Sequence, residues 1–299
     1  MALSRSFKKL RDMGVGTYGK LFHNCVTPVI DYGAGVWGLT KNPKAENVQR
    51  RAIRFFLGVH KFAPNLAIEG DMGWDPCKVR WNVEMVRLWN RLVSMDNTRL
   101  AKRVFDWDYQ LQTNNWSSDL HMIFGNTQLL TCYDNKSQCD LEIMRSKLME
   151  LECNTWANSL DAKPKLRTYR TFKEDYKQEH YLTMNLSRTE RSCLAQFRSG
   201  VLPIRVETGR FKREAIEERV CIFCDKGEIE DECHLVMSCD KYGNLREQMF
   251  DYIANFEVDF DNLDVRDQFN VIVKKYPRQL AKFIKNSMNI RRKTEHINV

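Results

Sequence analysis

No apolar run in this chain is longer than a few residues; "FFLGV", after Arg54, is among the longest. A membrane-spanning helix needs about 20 such residues, so no span is expected. The N-terminal "MALSRSFKKL" is basic, but no apolar stretch follows it, and no signal peptide is expected. Proline and glycine are scarce, 7 and 14 among 299 residues, and strand-like alternation is rare, which points toward helix. There is no glycine-rich phosphate loop. His23, His60, His121, His180 and His296 stand alone, without adjacent catalytic partners, so no hydrolase or transferase centre is legible. Ten cysteines in a chain this long do not make a disulfide scaffold; they suit a reducing compartment, and an intracellular, nuclear or cytoplasmic protein is expected.

What is present is enough for a core. Hydrophobic residues make up 43% and aromatics 11%, which excludes a disordered tail. Charge is segregated. Residues 1–110 carry a net +8, residues 274–299 a net +7, and the stretch between them a net −7. Basic ends suggest an anionic partner, nucleic acid first; the plainer alternative is solvated helix faces and a basic tail.

Helical periodicity recurs along the chain. "AENVQRRAIRFFLGV" places Val48, Ala52, Phe55 and Phe56 on one face, and Gly58 is a natural stop. "WDPCKVRWNVEMVRLWNRLVSM" gives the clearest helix. Asp75 is its expected N-cap and Pro76 its first residue. Val79, Val83 and Val86 form one stripe, and Trp81, Met85, Leu88 and Leu92 a second, so this helix belongs at the centre of a bundle. Pro28 should kink or end the helix before it. Leu141, Met144, Leu148 and Leu151 should face inward from another helix. Ser187 and Glu190 have capping-box spacing, with Gly200 closing the helix they start. Two last helices are expected near Asn244–Ala254 and Arg278–Arg292, with an acidic patch, "DFDNLDVRDQ", between them.

One stretch carries chemistry. "RVCIFCDKGEIEDECHLVMSC", residues 219–239, offers five candidate ligands: Cys221, Cys224, Cys233, His234 and Cys239. The pattern C-x2-C-x9-H-x4-C supplies three thiolates and an imidazole, a closed structural Zn2+ set of Cys221, Cys224, His234 and Cys239. Four protein ligands leave no position for a catalytic water, which speaks against a hydrolytic metal enzyme. Bound zinc would add on the order of 10 kcal/mol or more to local folding. On a helix, the Cys233 side chain would point about 100° away from that of His234, so one ion should not take both. A four-cysteine site using Cys233 is the alternative.

"CIFCDKGEIEDECHLVMSCDKY", preceded by "LPIRVETGRF", resembles the C-terminal segment of non-LTR (LINE-type) retrotransposon reverse transcriptases. Glu230, Asp231, Glu232 and His234 match that family's acidic run and histidine, and Gly209, Arg210 and Phe211 its glycine–arginine–aromatic element. "LFHNCVTPVIDYGAGVWG" resembles the post-palm segment, with Pro28, Tyr32, Gly33 and Trp37 in place. The likeness covers nearly the whole chain and is loosest over residues 110–180. The family's catalytic aromatic-x-Asp-Asp turn is missing, since no Asp-Asp pair occurs in the chain. The expectation is therefore a piece that starts after the palm and is not an enzyme by itself.

The resemblance implies a mostly α fold. Residues 1–110 would form a thumb-like helical bundle, 111–186 a helical connector, and 187–299 a zinc-knuckle domain with C-terminal helices and a basic tail. It implies binding to RNA template or target DNA, a polymerase-bearing element protein as a further partner, and no membrane. Arg50, Arg51, Arg54, Arg87 and Arg91 are the candidates to track phosphates from thumb helices. Arg205, Arg210, Lys212 and Arg213 form a basic cluster before the knuckle, and Phe211 and Phe223 could stack on bases. The competing expectation is a zinc-stapled structural or protein-interaction module of a truncated or domesticated element, whose acidic loop Asp225–Glu232 would repel phosphates.

Overall fold

The computed structural model describes residues 12–39, 42–111 and 113–297. The basic N-terminal stretch, on which the signal-peptide expectation rests, and the last two residues of the tail lie outside the described residues. Among the described residues there are sixteen α-helices and no strand, so the fold is mostly α as expected. They fall into two compact units. One comprises the described residues of Met1–Tyr18, Arg50–Gly73 and Ser159–Val299; the other comprises those of Gly19–Gln49 and Trp74–Asn158. The linear span 1–110 contributes to both.

The second unit is built around α6 (Cys77–Val93), preceded in the chain by α1 (Val15–Cys25), α2 (Thr27–Ile30), α3 (Ala34–Trp37), α4 (Pro43–Leu57) and α5 (Asn65–Met72). Pro28 sits in the first turn of α2, so it starts a new short helix after α1 has ended. Both expected stripes of α6 are buried or partly buried. Trp89 has its ring centroid 5.3, 5.5 and 5.1 Å from those of Phe105, Phe124 and Tyr133. Those rings come from α7 (Leu100–Leu111), α8 (Trp116–Asn126) and α9 (Leu130–Asp134). The indole N–H of Trp89 donates to the Ser137 carbonyl at 2.9 Å, so the core carries no orphan donor there. Short α3 lies against α6. At Gly38 an added Cβ would stand 2.9 Å from the Trp81 carbonyl oxygen, a backbone approach only glycine permits.

Three local expectations shift. The α6 cap position falls to Pro76, not Asp75, and the helix starts at Cys77. The Asp75 carboxylate instead receives Arg145 at 2.7 Å, and its carbonyl receives Arg80 at 2.7 Å. On α4 the buried positions are Ala45, Gln49, Ile53, Phe56 and Leu57, while Val48 is exposed. The face is rotated because Gln49 is satisfied inside, donating to the Asp75 carbonyl and accepting from Arg80. On α10 (Leu141–Asp161), Met144 and Leu148 are buried but Leu151 is exposed.

The first unit centres on α12 (Arg188–Arg198) packed along α16 (Pro277–Ile297), which follow α11 (Tyr169–Phe172). Leu280, Ala281, Ile284, Ser287, Met288 and Arg291 form the buried stripe of α16. The Ser187–Glu190 capping box forms as expected. Beneath α12 is a buried charge network. The Arg198 guanidinium binds both oxygens of Asp71 at 2.8 Å, and the hydroxyls of Tyr169 and Tyr181 each donate to Asp71 at 3.0 Å. Every oxygen of this buried carboxylate is occupied, which is the condition for burying an ion pair without a large desolvation loss. After α13 (Arg205–Phe211) and α14 (Gly243–Ala254), the expected acidic patch becomes the start of a helix, α15 (Val265–Lys275). Asp264 caps it by accepting from the Asp267 amide, and Phe269, Ile272 and Val273 bury its other side.

Candidate metal centre

Four side chains converge in the stretch between α13 and α14. The ligand atoms of Cys221, Cys224, His234 and Cys239 all lie within 4.8 Å of one another. The Cys221 and Cys239 sulfurs are 3.8 Å apart, and the Cys224 sulfur is 3.5 Å from Nε2 of His234. A metal–sulfur bond of about 2.3 Å gives a tetrahedral sulfur–sulfur edge of about 3.8 Å, so the cluster has the size of a four-coordinate N/S site. Together these residues could hold a metal ion. Cys233 is not one of them.

Each half of the cluster has a backbone reason. Val220 and Ile229 pair as an isolated antiparallel bridge, and the Cys221 amide donates to the Glu228 carbonyl at 2.8 Å. Gly227 turns this short hairpin with φ +67°, the left-handed region that disfavours other residues. The hairpin turn is what lets both cysteines of C-x2-C face one point. The Phe223 amide donates to the Cys221 sulfur at 3.4 Å. The second half, His234–Ser238, is a single π-helical turn, closed by the Cys239 amide donating to the His234 carbonyl at 2.9 Å. An i→i+5 turn brings residues five apart to the same edge, so the H-x4-C spacing is the spacing of this turn. His234 opens a π turn rather than continuing an ordinary helix, and Cys233 is its N-cap, in helical conformation just outside the turn.

The imidazole is held from behind. Nδ1 of His234 is 2.8 Å from Glu228 Oε2 and 3.1 Å from the Ser238 hydroxyl, and its amide donates to Asp231 at 2.8 Å. With Nδ1 hydrogen-bonded to a carboxylate, Nε2 is the nitrogen left to face the thiols, a second layer typical of metal-ligating histidines. Burial pushes the Cys221 thiol up to about 12 and raises that of Cys239. Without an ion these are thiols, and ion capture must release their protons. Cys233 is likewise pushed up to about 11 by burial, first of all, and then by neighbouring carboxylates.

The acidic run is largely spoken for. Glu230, fully buried, receives the Arg291 guanidinium of α16 on both oxygens and the Arg205 amide at 2.7 Å. Glu232 receives Arg167 at 2.6 Å. Sequence reasoning missed these partners, because Arg167 and Arg291 lie 65 and 61 residues away; the family-like acidic run was the one signal.

The expected nucleic-acid residues divide. Arg51, Arg91, Arg210, Lys212 and Arg213 are exposed, and Arg87 is exposed with Glu84 at 3.2 Å. Arg50 pairs with Glu69 at 2.6 Å, and Arg54 donates to the Ala63 carbonyl at 2.9 Å. Arg205 is half-buried and spent on Glu214 at 2.7 Å. Phe211 is 63% exposed, as a stacking residue must be. Phe223 instead carries the Arg291 guanidinium 4.4 Å from its ring centre, so that face is occupied. No helix among the described residues is long and apolar enough to cross a membrane. The geometry thus defines a mostly α chain with a Cys3His cluster. Comparison with known proteins adds no relative: no family model, no curated protein and no solved structure matches this chain.

Proposed function

We propose that the chain is a zinc-stapled nucleic-acid-binding module, akin to the C-terminal part of a non-LTR reverse transcriptase, that grips RNA template or target DNA and contributes no catalytic centre of its own. Zinc is the ion that three thiolates and one imidazole at tetrahedral spacing suit best. The observation that carries the reading is the exposed basic end of α13, the helix that leads into the cluster segment. Arg210, Lys212 and Arg213 stand exposed at the end of α13. The start of that helix is tied to the acidic run through Glu230, which accepts the Arg205 amide and whose carbonyl accepts the Val206 amide at 3.0 Å. A metal-ordered loop would therefore fix where those cations point. The partner protein in this reading is the polymerase-bearing protein of the same element.

The test is a titration of labelled RNA against the purified chain at several salt concentrations. Affinity should fall with a log–log slope of about −0.7 per phosphate on single strands and about −0.9 on duplex. The double change Arg210→Ala/Arg213→Ala should weaken binding and flatten that slope. Affinity that ignores salt sinks the reading.

A second reading, a protein-interaction module, is favoured by one face of α7. Leu100, Val104, Trp107 and Leu111 recur at helical spacing and are 72, 53, 62 and 46% exposed. Unchanged RNA affinity in the double arginine variant, with the fold intact, would favour it.

A further inference from the structure

Resting on the nucleic-acid reading, we infer that the cleft lined by Arg50, Arg54, Lys61, Lys163, Lys165 and Arg210 is a single-strand site: it holds the phosphates of an unpaired stretch while a base stacks on the Phe62–Phe211 pair at its lip.

The cleft has a volume of about 640 Å³ and lies wholly within one compact unit. Six cations line it against one lining carboxylate, Glu69. Glu69 is engaged by Arg50 at 2.6 Å, and Glu207 just outside is engaged by Lys165. Two pairings therefore leave a surplus of positive charge. Lys61 and Lys163 are exposed, and exposed Arg210 stands 3.6 Å from Glu207, which it shares with Lys165, while Arg50 and Arg54 are held in place by α5 and the loop before it.

The aromatic pair separates this site from a plain anion hole. Phe62 stands between two lining residues, Lys61 and Ala63, and Phe211 follows a third, Arg210. Their ring centres are 6.2 Å apart at 62°, an edge-to-face pair, yet Phe62 is 58% and Phe211 63% exposed. Large aromatics left this open cost solvation energy without a core to repay it. Lys61 sits 5.0 Å from the Phe62 ring centre, so charge and π-face are offered side by side. Phosphate-facing side-chain cations interleaved with exposed rings are the chemistry of sequence-tolerant single-strand binding, because every base has a π-face and a duplex hides it. Sequence order concealed the site: its cations come from positions 50–61, 163–165 and 210.

The experiment uses the full chain, zinc-loaded, with fluorescence anisotropy on a labelled oligo-uridylate, an oligo-thymidylate, a blunt duplex and, as competitor, inorganic tripolyphosphate. Lys61→Ala/Lys163→Ala should weaken single-strand binding and lower the salt slope by about 0.7 per lysine. Phe62→Ala/Phe211→Ala should weaken single-strand binding roughly tenfold or more and leave duplex binding unchanged. Circular dichroism and thermal melting confirm that both variants fold, and Phe62→Tyr/Phe211→Tyr should restore single-strand binding. If the chain binds oligonucleotides but neither alanine pair alters single-strand affinity, the inference falls and the nucleic-acid reading stands. If tripolyphosphate competes equally well in wild type and the phenylalanine pair, with single-strand affinity unchanged, the cleft is an anion site only and the inference falls. If no oligonucleotide binds at all, both fall.

Discussion

His234 is fixed through both ring nitrogens, one toward Glu228 and Ser238 and the other toward Cys224, while its chain neighbour Cys233 points elsewhere. The two residues should answer mutation oppositely. His234→Ala should lose the ion or bind it far more weakly. Cys233→Ser should keep one ion per chain, measured by metal analysis of the purified proteins. A Cys233→Ser protein without metal would mean a four-cysteine site. The ligand types and their spacing were legible in the sequence, because both halves of the cluster are local turns. What holds the imidazole was less so: Glu228 is one of several acids in that loop, and only the folded turn says which one reaches Nδ1.

Helix α12 shows how an element is specified at its ends. Ser187 and Glu190 cap its start reciprocally, and Gly200 adopts φ +65° just beyond its last turn. Ser187→Ala should cost about 1 kcal/mol, read from denaturant unfolding. Burial alone would raise the Glu190 carboxyl, but the Ser187 hydroxyl and amide, with Lys285, hold it below its ordinary value. A lowered folded pKa means stability present above the unfolded carboxylate range and lost as pH falls through the folded value. The stability gap between wild type and Glu190→Gln should therefore shrink on acidification, and a gap that stays constant would remove the cap from the account. This element was readable because caps are local. Helix α15 was not, since its acidic start looked like a charged loop, and only the burial of Phe269, Ile272 and Val273 shows it to be one face of a helix.

Across the whole molecule, the segment that carries the Cys3His cluster is joined to the last helix through Glu230. That residue links the hairpin to Arg205 and to Arg291 on the last helix. Removing the ion with a strong chelator at neutral pH should lower the melting temperature of the metal-loaded chain, since structural zinc is worth on the order of 10 kcal/mol or more to the segment it orders. Thiol labelling checks the same point. Three further cysteines, Cys221, Cys224 and Cys239, should become reactive when the ion leaves, and unchanged labelling would rule out their ligation.

The sequence by itself determined the helical class, the central position of α6, the caps of α12 and the four-residue cluster. Each of these is written in spacings of a turn or two, where backbone geometry leaves little choice. Tertiary structure decided the rest. It put Asp71 beneath Arg198, 127 residues away, so that a charge in "EGDMGW" became part of the core. It engaged Arg205 with Glu214 and Phe223 with Arg291, and it grouped Lys61, Lys163 and Arg210 around one cleft. Whether a cation is spent on a buried carboxylate or left for a ligand depends on what the fold brings opposite it, and that partner carries no mark in the local sequence.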